Sequence, residues 1–435
     1  MRIIVGLSLC LACACTGTRI GNPGHNGELP PGVVVAKSEL ARDEHPELAK
    51  EKATSFGADN RAFAFALYHE LAKQSGNLFF SPYSISSALA MTYAGAKGTT
   101  ETEMASALHF TLPQSELHAA FNATDLALAR RKNELIPSSA SERTKGDGFQ
   151  LHVVNQAWGQ KGYTFLDSYL DVLAANYGAG MFLLDFGKSE AARTTINGWV
   201  SEQTAQRIED LLPEGSIASD TRLVLTNAIY FKASWMDEFD AGQTKPATFH
   251  AQAGDRSVEM MHSMSDATYA EVDGYRAVAL PYISTNVRMI AILPPEGALA
   301  DTAARLDAKL VNGLVGKLSR ALVTLSLPKW TFESENRLKA PLRTLGMNAA
   351  FGIGMADLSG MDGKPGNLYV DEVYHKAFVA VDEQGTEAAA ATAVVAREVS
   401  LPPQVTVTFD RPFMFLVHDV PTGQVLFLGH LSDPG

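Results

Sequence analysis

The 435-residue sequence predicts an α+β fold, with helices gathered in the first half of the chain and strands in the second. Three observations carry this. Apolar residues recur at helical spacing early, as at Phe63, Leu67 and Leu71. Alternating or continuous apolar runs dominate the end: VTLSL at 323–327, VTVTF at 405–409, FMFLVH at 413–418 and VLFLGHL at 425–431. No βαβ series and no internal repeat interrupts that order.

In chain order, the first element is a leader. Arg2 precedes an apolar run from Ile3 to about Ala14, too short to span a bilayer but suited to the h-region of a signal peptide. All three cysteines, Cys10, Cys13 and Cys15, lie there. A small residue before a Cys at the end of such a run resembles a bacterial lipoprotein signal. Cys15 is the preferred lipid acceptor and Cys13 the alternative; neither has a leucine three residues before it, and an ordinary secretory signal is the plainer reading. Residues 1–15 are thus read as a signal peptide and 16–56, with its Pro-Gly turns and charged stretch, as a flexible tether. Residues 57–435 form one folded domain. The expected location is extracytoplasmic, either anchored through an N-terminal lipid or secreted.

After Cys15 there is no cysteine, so the domain has no disulfide, no thiol catalyst and no Cys-ligated metal. With 46% hydrophobic and 19% charged residues the composition is that of a soluble globular protein. The net charge of −12 and the lack of any basic run argue against nucleic acid or an anionic membrane surface as the main partner.

Residues 60–73 read as an amphipathic helix. Ser81-Pro82 offers an N-cap and a proline at the first helical position, opening a helix rich in small residues, hence a buried one. The two terminal apolar runs, joined across Pro-Thr-Gly, read as a buried antiparallel hairpin.

A search for chemistry is negative. There is no GxSxG, no GxxxxGK[ST] and no HExxH. His69-Glu70 lacks a second histidine, since Lys73 stands in its place, and reads as a helix-surface pair. Gly352 and Gly354 lack a third glycine and read as a turn. His375, in an apolar context, reads as a satisfied core histidine. No catalytic residue, metal site or cofactor is expected.

The segment Glu383–Pro403, EQGTEAAAATAVVAREVSLPP, resists these readings. Alanine favours a helix, yet AFVAVDEQG before it alternates like a strand that ends at Gly385. Continued at strand period, Thr386, Ala388, Ala390, Thr392 and Val394 face one way, and Glu387, Ala389, Ala391 and Ala393 the other. Nearly all are small, and no proline precedes Pro402. Such a segment can enter the middle of an existing sheet without clash and without losing ladder hydrogen bonds.

Here the sequence resembles the serpins, the serine-protease-inhibitor superfamily. The hinge EQGTEAAAAT matches that of inhibitory members. Asn77–Met104, Leu225–Trp235, Val373–Ala390, Phe409–Val417 and the terminal VLFLGHLSDP match further segments in order, from about residue 57 to the end. The resemblance implies three β-sheets, about nine helices and an exposed reactive-centre loop. It implies a single-use substrate, acting as a monomer: a target serine protease attacks the loop and forms a covalent acyl complex. The cut loop then inserts into the central sheet and deacylation stalls. The hinge carries over to Glu383, Gly385, Thr386, Glu387, Ala388, Ala389, Ala390, Ala391 and Thr392. The polar shutter that controls sheet opening carries over to Ser81, Ser84, Asn227 and His375, and the site of first loop entry, the breach, to Trp235. Family spacing places the attacked bond fourteen residues after Gly385, at Val399–Ser400, and the Ser-Leu-Pro-Pro that follows agrees. Val399 suits an elastase-like protease. Arg397–Glu398 is the competing site, for trypsin-like enzymes, and Ala396 a further one. Cysteine proteases stay open as targets, as does a non-inhibitory carrier or chaperone role, although the small hinge residues point to inhibition.

Overall fold

The computed structural model describes residues 29–134, 149–283, 286–296, 305–386 and 402–435. Among these residues are nine α-helices: α1 Lys50–Leu71, α2 Pro82–Tyr93, α3 Gly98–Ala107, α4 Gln114–Arg130, α5 Asp167–Tyr177, α6 Ser189–Gln203, α7 Ala308–Lys317, α8 Lys339–Thr344 and α9 Ser359–Asp362. The strands are β1 Val34–Ala36, β2 Leu78–Phe80, β3 Phe149–Gln160, β4 Met181–Leu184, β5 Leu223–Ser234, β6 Lys245–Ala251, β7 Gly254–Val272, β8 Tyr275–Pro281, β9 Val287–Leu293, β10 Ser319–Pro328, β11 Trp330–Arg337, β12 Val373–Asp382, β13 Gly385–Thr386, β14 Gln404–Thr408, β15 Phe413–Asp419 and β16 Gln424–Leu431.

One sheet has seven strands in the order β1-β4-β3-β5-β13-β12-β11. The second runs β14-β10-β7-β8-β9-β15-β16-β2, with β6 also on β7. It comprises two segments bridged by the 19-residue β7. Along β7, β6 pairs with Gly254–Met260, β10 with Met260–Tyr269 and β8 with Thr268–Val272. Strand pairing thus gives one separate sheet and a second, larger one that is continuous through β7. β15 and β16 form the expected hairpin, with Phe413 opposite Leu431.

The central strand β5 reads LVLTNAIYFKAS, and only Lys232 is not buried. A strand covered on both faces needs such a nearly continuous apolar run. One cover is α2, whose twelve residues are all buried. Ser81 caps it, its Oγ accepting the Ser84 N–H at 3.1 Å, and Pro82 follows without cost because its missing N–H is unpaired at a helix start anyway. On the other face Ile196, Trp199 and Val200 of α6 pack on Trp158, Val154, Val224 and Ala228.

The folded domain starts earlier than the tether boundary at 56 suggests. Val34 pairs with Leu183, and Val33 is buried among Trp158, Leu184 and Phe186. α1 already begins at Lys50. The short VVVA run supplies β4 with an edge partner, a gain that the Pro-Pro-Gly before it concealed.

Candidate functional site

β5 and β12 are parallel neighbours, but they pair directly only over Leu225–Ile229 and Val373–Ala377. Beyond Ile229 they part. The gap at their upper end holds β13, which is antiparallel to both: Thr386 lies opposite Ala233 on β5 and Val381 on β12. The sheet is thus closed at its lower end, and its upper end is already entered by two residues of another segment.

The chain reaches that gap through a turn. The alternation Phe378–Val381 suggested a strand running to Gly385; instead β12 stops at Asp382, whose Oδ1 accepts the N–H groups of Gln384 (2.9 Å) and Gly385 (3.2 Å). This side-chain cap reverses the chain over Glu383 and Gln384. Only glycine fits at 385: a Cβ there would lie 2.1 Å from the Ala233 carbonyl oxygen. Glu383 ties the turn down, accepting from Thr244 Oγ1 at 2.7 Å and pairing with Lys329 at 2.8 Å. The Trp235 indole donates to the Asp382 carbonyl at 3.0 Å and stacks on Tyr282 with ring centroids 4.7 Å apart. Tyr282 hydroxyl shares a 2.8 Å hydrogen bond with Thr386 Oγ1, deep enough that burial pushes the phenol's pKa well up. Trp235, Glu383, Gly385 and Thr386, named from sequence, therefore meet at one place.

The lower, closed part of the sheet holds a second constellation. Asn155 on β3, Asn227 on β5, His375 on β12 and Asn336 on β11 stand in one row across four strands. Below it lie Ser81 and Ser84, at the start of α2. His375 Nε2 accepts the Ser81 N–H at 3.1 Å, so its Nδ1–H donates to Asn227 Oδ1. Asn227 Nδ2 donates to Ser84 Oγ at 2.6 Å and to Asn155 Oδ1. Asn155 returns a bond to the Ser84 carbonyl at 3.2 Å. Ser81, Ser84, Asn227 and His375 are fully buried. Burial pushes the His375 pKa down to about 3, and both ring nitrogens are used as neutral imidazole requires. The four residues named from sequence are thus joined, and Asn155 is an addition. Its signal was available only through pairing, as a polar residue in register with Asn227.

Cys13, Cys15, Glu387, Ala388, Ala389, Ala390, Ala391, Thr392, Arg397, Val399 and Ser400 lie outside the described residues. Among the described residues no cluster of three or more His, Cys, Asp or Glu could hold a metal, and no helix is long and apolar enough to cross a membrane.

Gly385 and Thr386 thus occupy the upper part of the gap between β5 and β12, and a buried polar cluster lies beneath the part where the two strands pair directly. Similarity to known proteins identifies the family. The family profile Serpin (serine protease inhibitor) matches residues 58–434. A leukocyte elastase inhibitor of Sus scrofa is 37% identical over 390 residues, covering 87% of this chain and 99% of that one. An uncharacterized serpin-like protein of Thermococcus kodakarensis is 38% identical over 379 residues, covering 86% and 84%. Among solved structures, the thermophilic serpin tengpin in the native state matches with a TM-score of 0.77 at 26% identity, covering 92% of this chain and 97% of that one. Human thyroxine-binding globulin complexed with thyroxine matches at 0.76 and 29%, covering 88% and 99%. The chain belongs to the serpin family, whose members in general inhibit proteases rather than act as enzymes.

Proposed function

We propose that this serpin inhibits a serine protease as a suicide substrate, with Val399–Ser400 as the attacked bond and an elastase-like enzyme as the target. The observation that carries the reading is β13, antiparallel to both β5 and β12 in the gap between them. Continued in the same register, each further loop residue steps one residue down both strands. Thr392 then meets Asn227 and His375, and Ala396 meets Leu223, the first residue of β5. Thr392 shares a face with Thr386, so its hydroxyl enters the polar row and takes the place of the direct His375–Asn227 bond. Between Thr386 and Thr392 stand Glu387 and the four alanines Ala388–Ala391, and Ala393, Val394 and Val395 follow before Ala396; apart from Glu387 at the start, all are small or β-branched apolar side chains that fit between closely packed layers.

Val399 would finish three residues beyond the end of β5, with the acylated protease at the pole opposite to where it attacked. The leukocyte elastase inhibitor among the relatives supports the choice of enzyme, as does the small aliphatic side chain of Val399. We also propose an extracytoplasmic location, with anchoring through a lipid on Cys15 or Cys13. The likeness to thyroxine-binding globulin keeps a carrier role as the second reading. Against it stands a hinge free of bulky, charged or proline residues from Ala388 to Thr392.

The test is to mix the protein with pancreatic elastase and, separately, with trypsin, then run denaturing gels and mass spectrometry. The expected result is a denaturant-stable complex with elastase and a released peptide beginning at Ser400. A complex with trypsin alone moves the bond to Arg397. Clean cleavage without any complex favours the carrier reading.

A further inference from the structure

Two side chains at the lower pole are out of place for a free surface. Ile353 is 76% exposed and Met355 73%, the two most exposed large hydrophobics among the described residues. They sit on one turn, Gly352-Ile353-Gly354-Met355, between buried Phe351 and buried Ala356. The turn is held rigidly. Met355 and Ala356 N–H both reach the Gly352 carbonyl at 3.0 Å, Gly366 N–H reaches the Ala356 carbonyl at 2.9 Å, and Val370 N–H reaches the Ala350 carbonyl at 2.9 Å. Gly354 takes φ +70°, in the region that favours glycine. A rigid turn holding two long apolar side chains in water suits a partner that arrives later.

The sheet register says what arrives. Val370, bonded beside the turn, lies three residues before Val373, which pairs with Leu225 near the start of β5. That is the end of the sheet toward which the proposed insertion carries Val399. A protease domain of about 230 residues has a radius of gyration of roughly 17 Å. Hung from Val399 by three residues, about 10 Å of chain, it has to cover this turn.

We propose that Ile353 and Met355 form the seat for the trapped protease, packing on it after the loop has inserted and so helping to hold it in its distorted state. The inference rests on the suicide-substrate reading. The seat has no part in the first encounter, which takes place at the opposite pole. It acts on the last step, in which water attacks the Val399 ester carbonyl and releases the Val399 carboxylate and the free protease serine. An apolar contact made only in the translocated complex slows that escape.

The test compares the parent with an Ile353→Asn, Met355→Asn double variant. Both side chains are exposed, so folding and melting should not change. The association rate and inhibition stoichiometry with elastase should also stay as in the parent, while active elastase returns from the complex about tenfold faster or more, as expected for losing the burial of two large apolar side chains. A second reporter is Met355→Trp. The native Trp158, Trp199, Trp235 and Trp330 are all buried, so the added indole reports on its own site, with emission shifting to the blue on complex formation but not on simple loop cleavage.

An unchanged complex lifetime with no shift at 355 overturns the seat and leaves inhibition standing. The described residues begin near this pole, where Val34 lies opposite Leu183, and lipid anchoring is proposed for the N-terminus, so a bilayer is the rival occupant. Quenching of the 355 indole by brominated phosphatidylcholine vesicles, without any lifetime effect, overturns the seat in favour of lipid. Failure to form any complex brings down both readings.

Discussion

Replacing Thr386 by arginine tests the mechanism where it begins. Thr386 is 2% exposed, and its hydroxyl is bonded to buried Tyr282. The free inhibitor loses only that hydrogen bond, about 1 kcal/mol, and the hinge can move outward into water. The inserted state is different. It has to bury a guanidinium against Tyr282 and Trp235, where both nearby carboxylates are engaged: Glu383 with Lys329 and Thr244, and Asp382 with the turn amides. An effective penalty of roughly 3 kcal/mol for the unpaired charge slows insertion by about 150-fold. Insertion competes with hydrolysis of the acyl-enzyme, so that delay converts an inhibitor into a substrate. The assay is titration of elastase with the variant, read as moles needed per mole inhibited and as complex against cleaved band on a denaturing gel. Thr386→Val, which keeps the shape and removes only the hydroxyl, is the control and should still inhibit. A Thr386→Arg protein that inhibits one-to-one would refute the insertion mechanism.

Other predictions follow from the polar row and its surroundings. Asn227→Ala leaves the His375 Nδ1–H, Ser84 Oγ and Asn155 without their shared partner, and should cost roughly 2–4 kcal/mol in urea unfolding while making the sheet accept a synthetic loop peptide more readily. His375, pushed down to about 3, and His118 and His418, each pushed down to about 4 mainly by burial, have folded pKa values below their unfolded ones. Their stabilisation is therefore complete above about pH 6.5 and is lost as pH falls toward 3, with a slope of up to about 1.4 kcal/mol per pH unit for each histidine; urea midpoints measured between pH 7 and 4 should fall accordingly, and a flat profile would contradict this. Arg131→Ala strands Asp419, which is fully buried and accepts from Arg131 Nε at 2.7 Å and Nη2 at 3.1 Å. It should destabilise the fold by about 3–5 kcal/mol, measured by thermal melting.

The parts of this molecule that were legible in its sequence are those in which one residue type answers one local demand. Ser81-Pro82 announced the start of α2, and the two terminal apolar runs announced the buried hairpin of β15 and β16. Gly385 and Thr386 were legible through family resemblance, and their reason is physical: a Cβ at 385 would strike Ala233, and Thr386 is small enough to be buried in the gap. What stayed hidden depends on pairing or on side chains that reverse the chain. Asn155 looks like any polar strand residue until register sets it opposite Asn227. The turn at Asp382–Gly385 was read as continuing strand because alternation carries no sign of a carboxylate cap two residues ahead. β1 was assigned to a tether because three residues have no period; only the unfilled edge of β4 makes them a strand. Ile353 and Met355 read as an ordinary turn because their exposure is a property of the fold.

The most direct test of the central claim is the stability of the protein before and after its loop is cut. Cleavage within 393–401 frees the loop to enter between β5 and β12. Continuing the β13 register, the ten residues Glu387–Ala396 gain strand partners on β5 and eight of them, Glu387–Val394, on β12 as well, at about 1 kcal/mol net per hydrogen bond and on the order of 10 kcal/mol in all. The intact protein should unfold at a moderate denaturant midpoint or melting temperature, and the cleaved protein should remain folded well beyond it. Equal midpoints for the two forms would mean that the loop does not insert, and that neither β13 nor the polar row serves to capture a protease.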